Sequence, residues 1–335
     1  MAEDVCLVTG ATGFIGSHIA QRLVRDGYRV RCLVRPTSDT SLLEELNVEL
    51  AAGDLTNAPS LQRAVADCTH VIHCGAMVSD WAMPTEVVRV NVEGTRNLLT
   101  AAAGAAVRRV VHVSSTDVYG YPGRPEIDET YAARRFRNWY AQTKLLAEAE
   151  VRRFAKTRGL DTVVLRPATV YGPRSREVVL EIARAIRGGN MVLIGGGRAI
   201  AGLCYVDNVA DVAPLALRDE GVRGQVFNVT DGLNITWREF ADGLADGLGC
   251  PPVRWSMPYG VAEAIGFSLE HGYRALRATT NLQTRPLLSR QAVHVMGIDQ
   301  SFSNRRAREQ LHWEPRVDYE TGLAATLAWL HAEGV

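Results

Sequence analysis

Three short stretches of this 335-residue chain hold residue types that can do chemistry together. Tyr140-Ala141-Gln142-Thr143-Lys144 sets a phenol and an amine four residues apart, which on a helix is one turn along the same face. A phenol titrates at about pH 10 and is a poor base at neutrality. A neighbouring ammonium favours the phenolate, as does a positive ring bound beside it. Such a pair can exchange a proton with a hydroxyl or a carbonyl. Ser114-Ser115-Thr116-Asp117-Val118-Tyr119-Gly120 follows a strand-like run, and a hydroxyl there can stabilise charge developing on a substrate oxygen. Taken singly, the first pattern also describes two solvated residues on a helix, and the second a turn or helix cap. Their weight comes from the third stretch.

Thr9-Gly10-Ala11-Thr12-Gly13-Phe14-Ile15-Gly16 lies between a buried-strand pattern, Val5 to Thr9, and a helical one, Phe14 to Arg25. Each glycine has a mechanical task. Gly10 permits the tight turn, Gly13 lets backbone approach a pyrophosphate, and Gly16 lets the helix pack on the sheet. The helix start then offers unpaired N–H groups and a positive dipole end to phosphate, so Thr12, Phe14 and Ile15 join the glycines as candidates for binding a dinucleotide. An acidic residue about 20 positions on would bind the ribose 2′-hydroxyl of NAD. Here Val34 stands near that point and Arg35 follows. A guanidinium pairs with a 2′-phosphate, so the expected cofactor is NADP in preference to NAD.

The elements that must position these groups alternate regularly. Arg29–Val34 and residues 47–50, 70–73, 109–114 and 162–166 read as strands, with Pro84 to Ala103 and Asn138 to Lys156 as long helices between them. Gly27 ends the first helix. That order predicts an α/β fold, a Rossmann-like doubly wound parallel sheet covered on both faces, with a smaller C-terminal α/β substrate domain. The expected division is 1–167 and 168–335, with some C-terminal segments returning to the first sheet.

Composition excludes several classes. Lys+Arg and Asp+Glu are both 37, so the basic surplus that bulk-charge nucleic-acid binding needs is missing. With 47% hydrophobic and 22% charged residues, a folded globular state is expected rather than disorder. Only two of the cations are lysines, Lys144 and Lys156, which adds weight to a role for Lys144. Cys6, Cys32, Cys68, Cys74, Cys204 and Cys250 form no CxxC pair and read as apolar residues of a reducing compartment. No membrane span and no signal peptide are expected, so the reading is a soluble cytoplasmic protein. A metal at Cys68, His70, His73 and Cys74 is not expected. On a strand, His70 and His73 point to opposite faces, and Cys74 falls in the next turn.

Together these motifs resemble the extended short-chain dehydrogenase/reductase family. The resemblance covers nearly the whole chain and its signs arrive in family order: the glycine turn, Gly53-Asp54-Leu55, His73-Cys74-Gly75-Ala76, Asn91-Val92-Glu93-Gly94-Thr95, the serine segment, YxxxK, and Arg166-Pro167-Ala168-Thr169-Val170-Tyr171-Gly172-Pro173. The resemblance implies Ser115, Tyr140 and Lys144 as the catalytic residues, with Ser114 structural and Asn91 ordering the hydrogen bonds. It implies that Asp54, with Leu55, meets the adenine. Cys74, Gly75 and Ala76 would line ribose and pyrophosphate, Lys144 with Tyr140 would hold the nicotinamide ribose, and Pro167 to Val170 would border the nicotinamide. A homodimer is expected from the family alone.

The same core supports epimerases, dehydratases and ketone/alcohol oxidoreductases. Sugar-nucleotide members often carry an arginine before the strand written here Leu203-Cys204-Tyr205, where this chain has Ala201-Gly202, with Arg198 displaced. Dehydratases place adjacent acids after the catalytic hydroxyl, where Thr116 leaves Asp117 alone. The segments 205–210, 285–290, 302–307 and 313–315 look like the 3β-hydroxysteroid dehydrogenase branch, and Val30 to Asp39 is similar to the dihydroflavonol-reductase-like group. The expected activity is hydride transfer on an apolar small molecule, steroid-, terpenoid- or polyketide-like. The alternatives are a nucleotide-sugar epimerase/dehydratase with tightly bound NAD, and a non-catalytic dinucleotide sensor. Candidate substrate contacts are Trp81, Met83, Thr116, Asp117 and Arg174. Trp255 to Tyr259 with Val261, Ile265, Phe267, Leu269 and Tyr273 forms a candidate hydrophobic wall.

Overall fold

A computed structural model describes residues 4–79, 81–133, 138–279 and 288–335. Residues 285–287 of the C-terminal resemblance therefore lie outside the described residues. The first half alternates strand and helix: β1 (Val5–Thr9), α1 (Phe14–Arg25), β2 (Arg29–Val34), α2 (Ser41–Glu44), β3 (Val48–Ala52), α3 (Ala58–Val65) and β4 (His70–His73). α4 (Pro84–Val88) runs through a π turn (Arg89–Glu93) into α5 (Gly94–Gly104). β5 (Arg109–Val113), a 3-10 turn (Thr116–Tyr119), α6 (Trp139–Arg158) and β6 (Thr162–Pro167) follow. Beyond them come β7 (Thr169–Tyr171), α7 (Glu181–Arg187), β8 (Val192–Ile194), β9 (Leu203–Tyr205), α8 (Val206–Arg218), β10 (Val226–Val229) and α9 (Trp237–Gly247). The last elements are β11 (Trp255–Met257), α10 (Tyr259–Thr279), α11 (Arg290–Gly297), α12 (Arg305–Leu311) and α13 (Tyr319–Ala332).

Seven strands form one parallel sheet in the order β10-β6-β5-β4-β1-β2-β3. The chain winds outward from β1 to β3, then crosses back to place β4 on the other side of β1. That reversal opens a crevice at the carboxyl ends of β1 and β4, where open parallel sheets bind ligands. β1, β4, β5 and β6 are buried along their whole length, which is why they read as short unbroken β-branched runs. α1 and α8 cover one face with Ile19, Leu23, Val209 and Val212. α3, α5 and α6 cover the other with Leu61, Leu98, Val151 and Phe154. Each such fully buried side chain contributes roughly 1.5–3 kcal/mol.

Two sequence expectations shift. The third strand runs Val48–Ala52 rather than 47–50, because an edge strand with exposed residues lacks the apolar run that marks its neighbours. The helix expected from Pro84 to Ala103 is interrupted by the π turn that contains Asn91. Of the C-terminal segments, β10 pairs with β6, α8 packs on the first face, and Ala307, Leu311 and Trp313 complete that core. The remaining C-terminal elements build a second core around Trp237, Phe240, Tyr171 and Leu330.

Candidate active site

The turn after β1 presses against the turn after β4. Gly10 has φ +72, and a Cβ there would lie 2.8 Å from the Cα of Gly75. A Cβ on Gly16 would come within 2.1 Å of the Gly10 carbonyl oxygen. Both glycines are therefore required by close approach. At Gly13 the situation is reversed: an added Cβ meets the Gly10 carbonyl at 3.3 Å and otherwise projects into open space. No side chain caps α1 and its first turn holds no acid, so its leading N–H groups are left for an anion. This cradle fits the pyrophosphate of a dinucleotide, with Thr12, Phe14 and Ile15 on its rim.

The other cofactor candidates gather along the same sheet edge. Arg35 is exposed directly after β2. Asp54, after β3, accepts from the Thr56 backbone N–H at 2.7 Å and its hydroxyl at 2.6 Å. Burial opposes its charge, but Thr56, Arg35 and Arg89 outweigh burial and hold its carboxyl below the usual range. Leu55 is buried beneath the turn, its Cδ1 3.1 Å from where a Gly75 Cβ would stand. Cys74, half-buried in the turn itself, has its thiol pushed up to about 12 by desolvation, with Lys144 working against it. Ala76 completes that turn. Pro167 ends β6 and Val170 lies in β7.

The catalytic candidates converge on the carboxyl end of β5. Asn138 caps α6, its Oδ1 accepting from the Ala141 N–H at 2.9 Å, so Tyr140 and Lys144 fall in the first two turns. Lys144 is buried and its Nζ donates to the Val113 carbonyl, the last of β5, at 2.8 Å. The same Nζ stands 5.8 Å from the Tyr140 ring centre. Burial brings its pKa down to about 8, against the opposing pull of Cys74, Glu148 and Asp117. Two residues past Val113, Ser115 starts the 3-10 turn with its Oγ accepting from the Asp117 N–H at 3.1 Å. Ser114 instead turns inward and donates to Glu148 at 2.7 Å. Asn91 holds the Met77 backbone by both groups, at 2.7 and 3.1 Å, and donates to Thr143 Oγ1 at 3.0 Å. Thr143 in turn donates to the Tyr140 carbonyl at 2.9 Å.

One electrostatic expectation is corrected. The phenol of Tyr140 is pushed upward, by burial first and then by the carboxylates of Asp117 and Glu177.

The substrate candidates are more dispersed. Trp81 meets Tyr273 of α10 edge-on at 5.0 Å, and Met83 lies exposed before α4. Thr116 is buried within the turn. The Asp117 carboxylate accepts from the Tyr121 hydroxyl at 2.9 Å and the Gln291 amide at 3.3 Å. Arg174, at φ +73, reaches Ser17 of α1 at 3.2 Å. Val261, Ile265, Phe267 and Leu269 of α10 are exposed, while Tyr273 is buried.

Sequence reading missed two buried groups beside the site. Glu148 and Arg166 form a doubly hydrogen-bonded ion pair under α6. His73 joins Thr9 to Thr95. The available signal for the first was spacing, since Glu148 continues the 140, 144 face by one more turn.

A parallel sheet with a glycine-lined anion cradle and a Tyr–Lys pair at one carboxyl edge defines a nicotinamide-dinucleotide enzyme. The NAD dependent epimerase/dehydratase family model matches residues 6–230. The chain is 32% identical, over 95% of its length and 94% of the relative's, to a 4-hydroxy-2-methyl-3-oxo-4-farnesyl-3,4-dihydroquinoline-1-oxide ketoreductase of Stigmatella aurantiaca. It is 27% identical to 3beta-hydroxysteroid-dehydrogenase/decarboxylase isoform 1 of Arabidopsis thaliana, over 97% of this chain and 79% of that one. Among solved structures, dTDP-glucose 4,6-dehydratase of Streptomyces venezuelae in a complex with NAD superimposes with a TM-score of 0.80 at 25% identity, covering 98% of this chain and 97% of that one. The chain belongs to the NAD-dependent epimerase/dehydratase family, the extended short-chain dehydrogenase/reductases, and is an NAD(P)-dependent oxidoreductase of that family. Among the described residues no helix is long and apolar enough to cross a membrane.

Proposed function

We propose that this enzyme reduces an apolar ketone, with NADPH preferred over NADH. The observation that carries the reading is the Tyr140–Lys144 pair at the carboxyl end of β5, with Ser115 opening the adjoining turn. When bound, the reduced nicotinamide supplies a hydride to the carbonyl carbon. Ser115 donates a hydrogen bond to the carbonyl oxygen as it gains charge. Tyr140 delivers its phenolic proton to that oxygen and is reprotonated from solvent, leaving an alcohol. A phenol whose pKa is raised is held in the protonated state that this direction requires. Lys144 orients the site and stabilises the phenolate formed after transfer. Asn91 keeps the start of α6 in register through Thr143.

The substrate class is supported by apolar surface near the site. Val78, Met83 and Trp139 are all more than a third exposed, and Trp81 links their loop to α10. The two curated relatives named above carry names of ketone or sterol chemistry. Gly202 supports setting aside a nucleotide sugar: at φ +62, any side chain there would meet Gln300 at 2.5 Å, so the phosphate-gripping arginine of sugar-nucleotide relatives has no place at that position. Asp117 and Arg174 are the polar groups assigned to substrate. A cytoplasmic homodimer is part of the same proposal.

The test is purified protein with NADPH or NADH and a panel of bulky ketones, followed at the reduced-nicotinamide absorbance band. Ketone-dependent loss of that absorbance is expected. Conversion of a UDP-sugar with no net cofactor turnover would replace this reading with an epimerase. Cofactor-dependent stabilisation without turnover in either panel would make the chain a sensor.

A further inference from the structure

A single line of hydrogen bonds runs beneath the site from the nucleotide turn to the catalytic helix, and the mechanism above does not use it. The Gly75 N–H donates to Thr9 Oγ1 at 3.1 Å. Thr9 Oγ1 lies 2.7 Å from His73 Nδ1, and His73 Nε2 lies 2.9 Å from Thr95 Oγ1. Thr95 Oγ1 donates to the Asn91 carbonyl at 2.6 Å. Thr9, His73 and Thr95 are all at least 98% buried, so water does not compete for these groups.

Proton bookkeeping fixes every direction. A carbonyl only accepts, so the Thr95 hydroxyl proton belongs to Asn91, and Thr95 Oγ1 must accept from His73. His73 therefore carries its proton on Nε2. Its Nδ1 is then an acceptor and takes the Thr9 hydroxyl proton, leaving Thr9 Oγ1 to accept from Gly75. A charged imidazole breaks this order, because Nδ1–H would then donate to Thr9 Oγ1 and the Thr9 hydroxyl proton would lose Nδ1 as its acceptor. The surroundings agree: burial first, then His112 and Lys144, disfavour the imidazolium.

The ends of the line are functional. Gly75 forms the wall against which Gly10 is pressed, and Asn91 leads through Thr143 to the Tyr140 carbonyl. The Thr95 bond also ties down the carbonyl of a residue in a π turn, where regular helical bonding is displaced. We propose that His73, fixed as the neutral Nε2–H tautomer, is a positioning residue that couples the dinucleotide turn to Asn91 and so to the start of α6. This deepens the reading of the site as a dinucleotide-dependent reductase and rests on it.

Two measurements test it. First, ¹⁵N-histidine NMR of the nucleotide-free wild-type protein, with the resonances assigned from His73→Gln, should show a neutral Nε2–H ring at neutral pH. A charged ring or the Nδ1–H tautomer overturns the proposal. Second, His73→Phe should lower kcat at least tenfold and weaken NADPH binding measured by fluorescence titration. His73→Gln, which can accept from Thr9 and donate to Thr95, should recover most of both. Equal behaviour of the two variants in kcat and binding overturns the coupling. If wild-type protein binds neither NADPH nor NADH, it is the functional reading that fails, while the tautomer result stands independently.

Discussion

Glu148 stands one helical turn beyond Lys144 and takes the Arg166 guanidinium on both carboxylate oxygens, Nε at 2.9 Å and Nη2 at 2.7 Å. The carboxylate is fully buried. Ser114 donates to it from β5's exit, and Arg166 passes its remaining nitrogen to Tyr119, which donates to Asn228 of β10. Burial alone would favour the neutral acid, but Arg166 and Ser114 outweigh it and hold the carboxyl below its usual range. One ion pair thus fastens the catalytic helix to β5, β6 and β10, directly beneath the lysine.

Removing one partner leaves the other charged and dry. Arg166→Met is therefore expected to cost about 3–5 kcal/mol of folding free energy, measured by urea unfolding at neutral pH. The sign of the pH dependence follows from the lowered carboxyl: its stabilisation is full above the unfolded-state pKa and is lost as pH falls through the folded one. The gap between wild type and variant should narrow in acid. A gap that widens there would contradict the pairing.

Tyr140→Phe removes the proton donor while keeping the ring. Turnover should fall by about 10²–10⁴-fold, the range for loss of general acid–base catalysis. NADPH binding, measured by fluorescence titration, should persist, because the glycine cradle and α1 are untouched. Near-normal turnover would remove Tyr140 from its assigned role.

Much of this arrangement could be read before any coordinates, and the reason is burial. A strand covered on both faces, such as Val5–Thr9, is apolar along most of its length, and Gly27, at φ +82, ends α1 in a conformation that favours glycine. The glycine turn and the Tyr140–Lys144 pair were legible because their spacing is local, whereas Ser115 as a candidate came from the family resemblance. The π turn at Asn91 was not, since apolar periodicity does not report a single widened turn. That some C-terminal segments return to the sheet was expected, but which strand does so was not, since β10 pairs with β6 across about sixty residues. His73 and Arg166 were missed as partners because each finds its mate far along the chain. The direction at Tyr140 was not legible either, because it comes first from burial and then from Asp117 and Glu177, which belong to other elements.

Lys144 makes a second pH prediction, of opposite origin. Its pKa of about 8 in the folded chain lies below the 10.5 of a free lysine. Between those values the unfolded state binds more protons, so stability rises with pH across that window. The rise from this residue is about 3 kcal/mol. Unfolding free energies of nucleotide-free wild type and Lys144→Met, compared from about pH 8 to 10.5, should diverge in favour of wild type. Parallel curves would mean the ammonium is not desolvated as its contact with Val113 implies.

The proposed preference for NADPH over NADH rests on Arg35. It stands exposed at the carboxyl end of β2, close enough to Asp54 to help hold that carboxyl ionised. In the proposed binding mode, a dinucleotide laid from the α1 cradle toward β2 and β3 would bring its ribose 2′-substituent to this guanidinium. A charge-assisted bond to a 2′-phosphate is worth roughly 1.5–3 kcal/mol, equivalent to about a tenfold to hundredfold change in affinity. A 2′-hydroxyl offers no charge for it to meet. Arg35→Ala should therefore weaken NADPH binding by about that factor and leave NADH binding nearly unchanged, as read by fluorescence titration at constant ionic strength. Equal losses for the two cofactors would remove the basis for an NADP preference, whatever the turnover rates show.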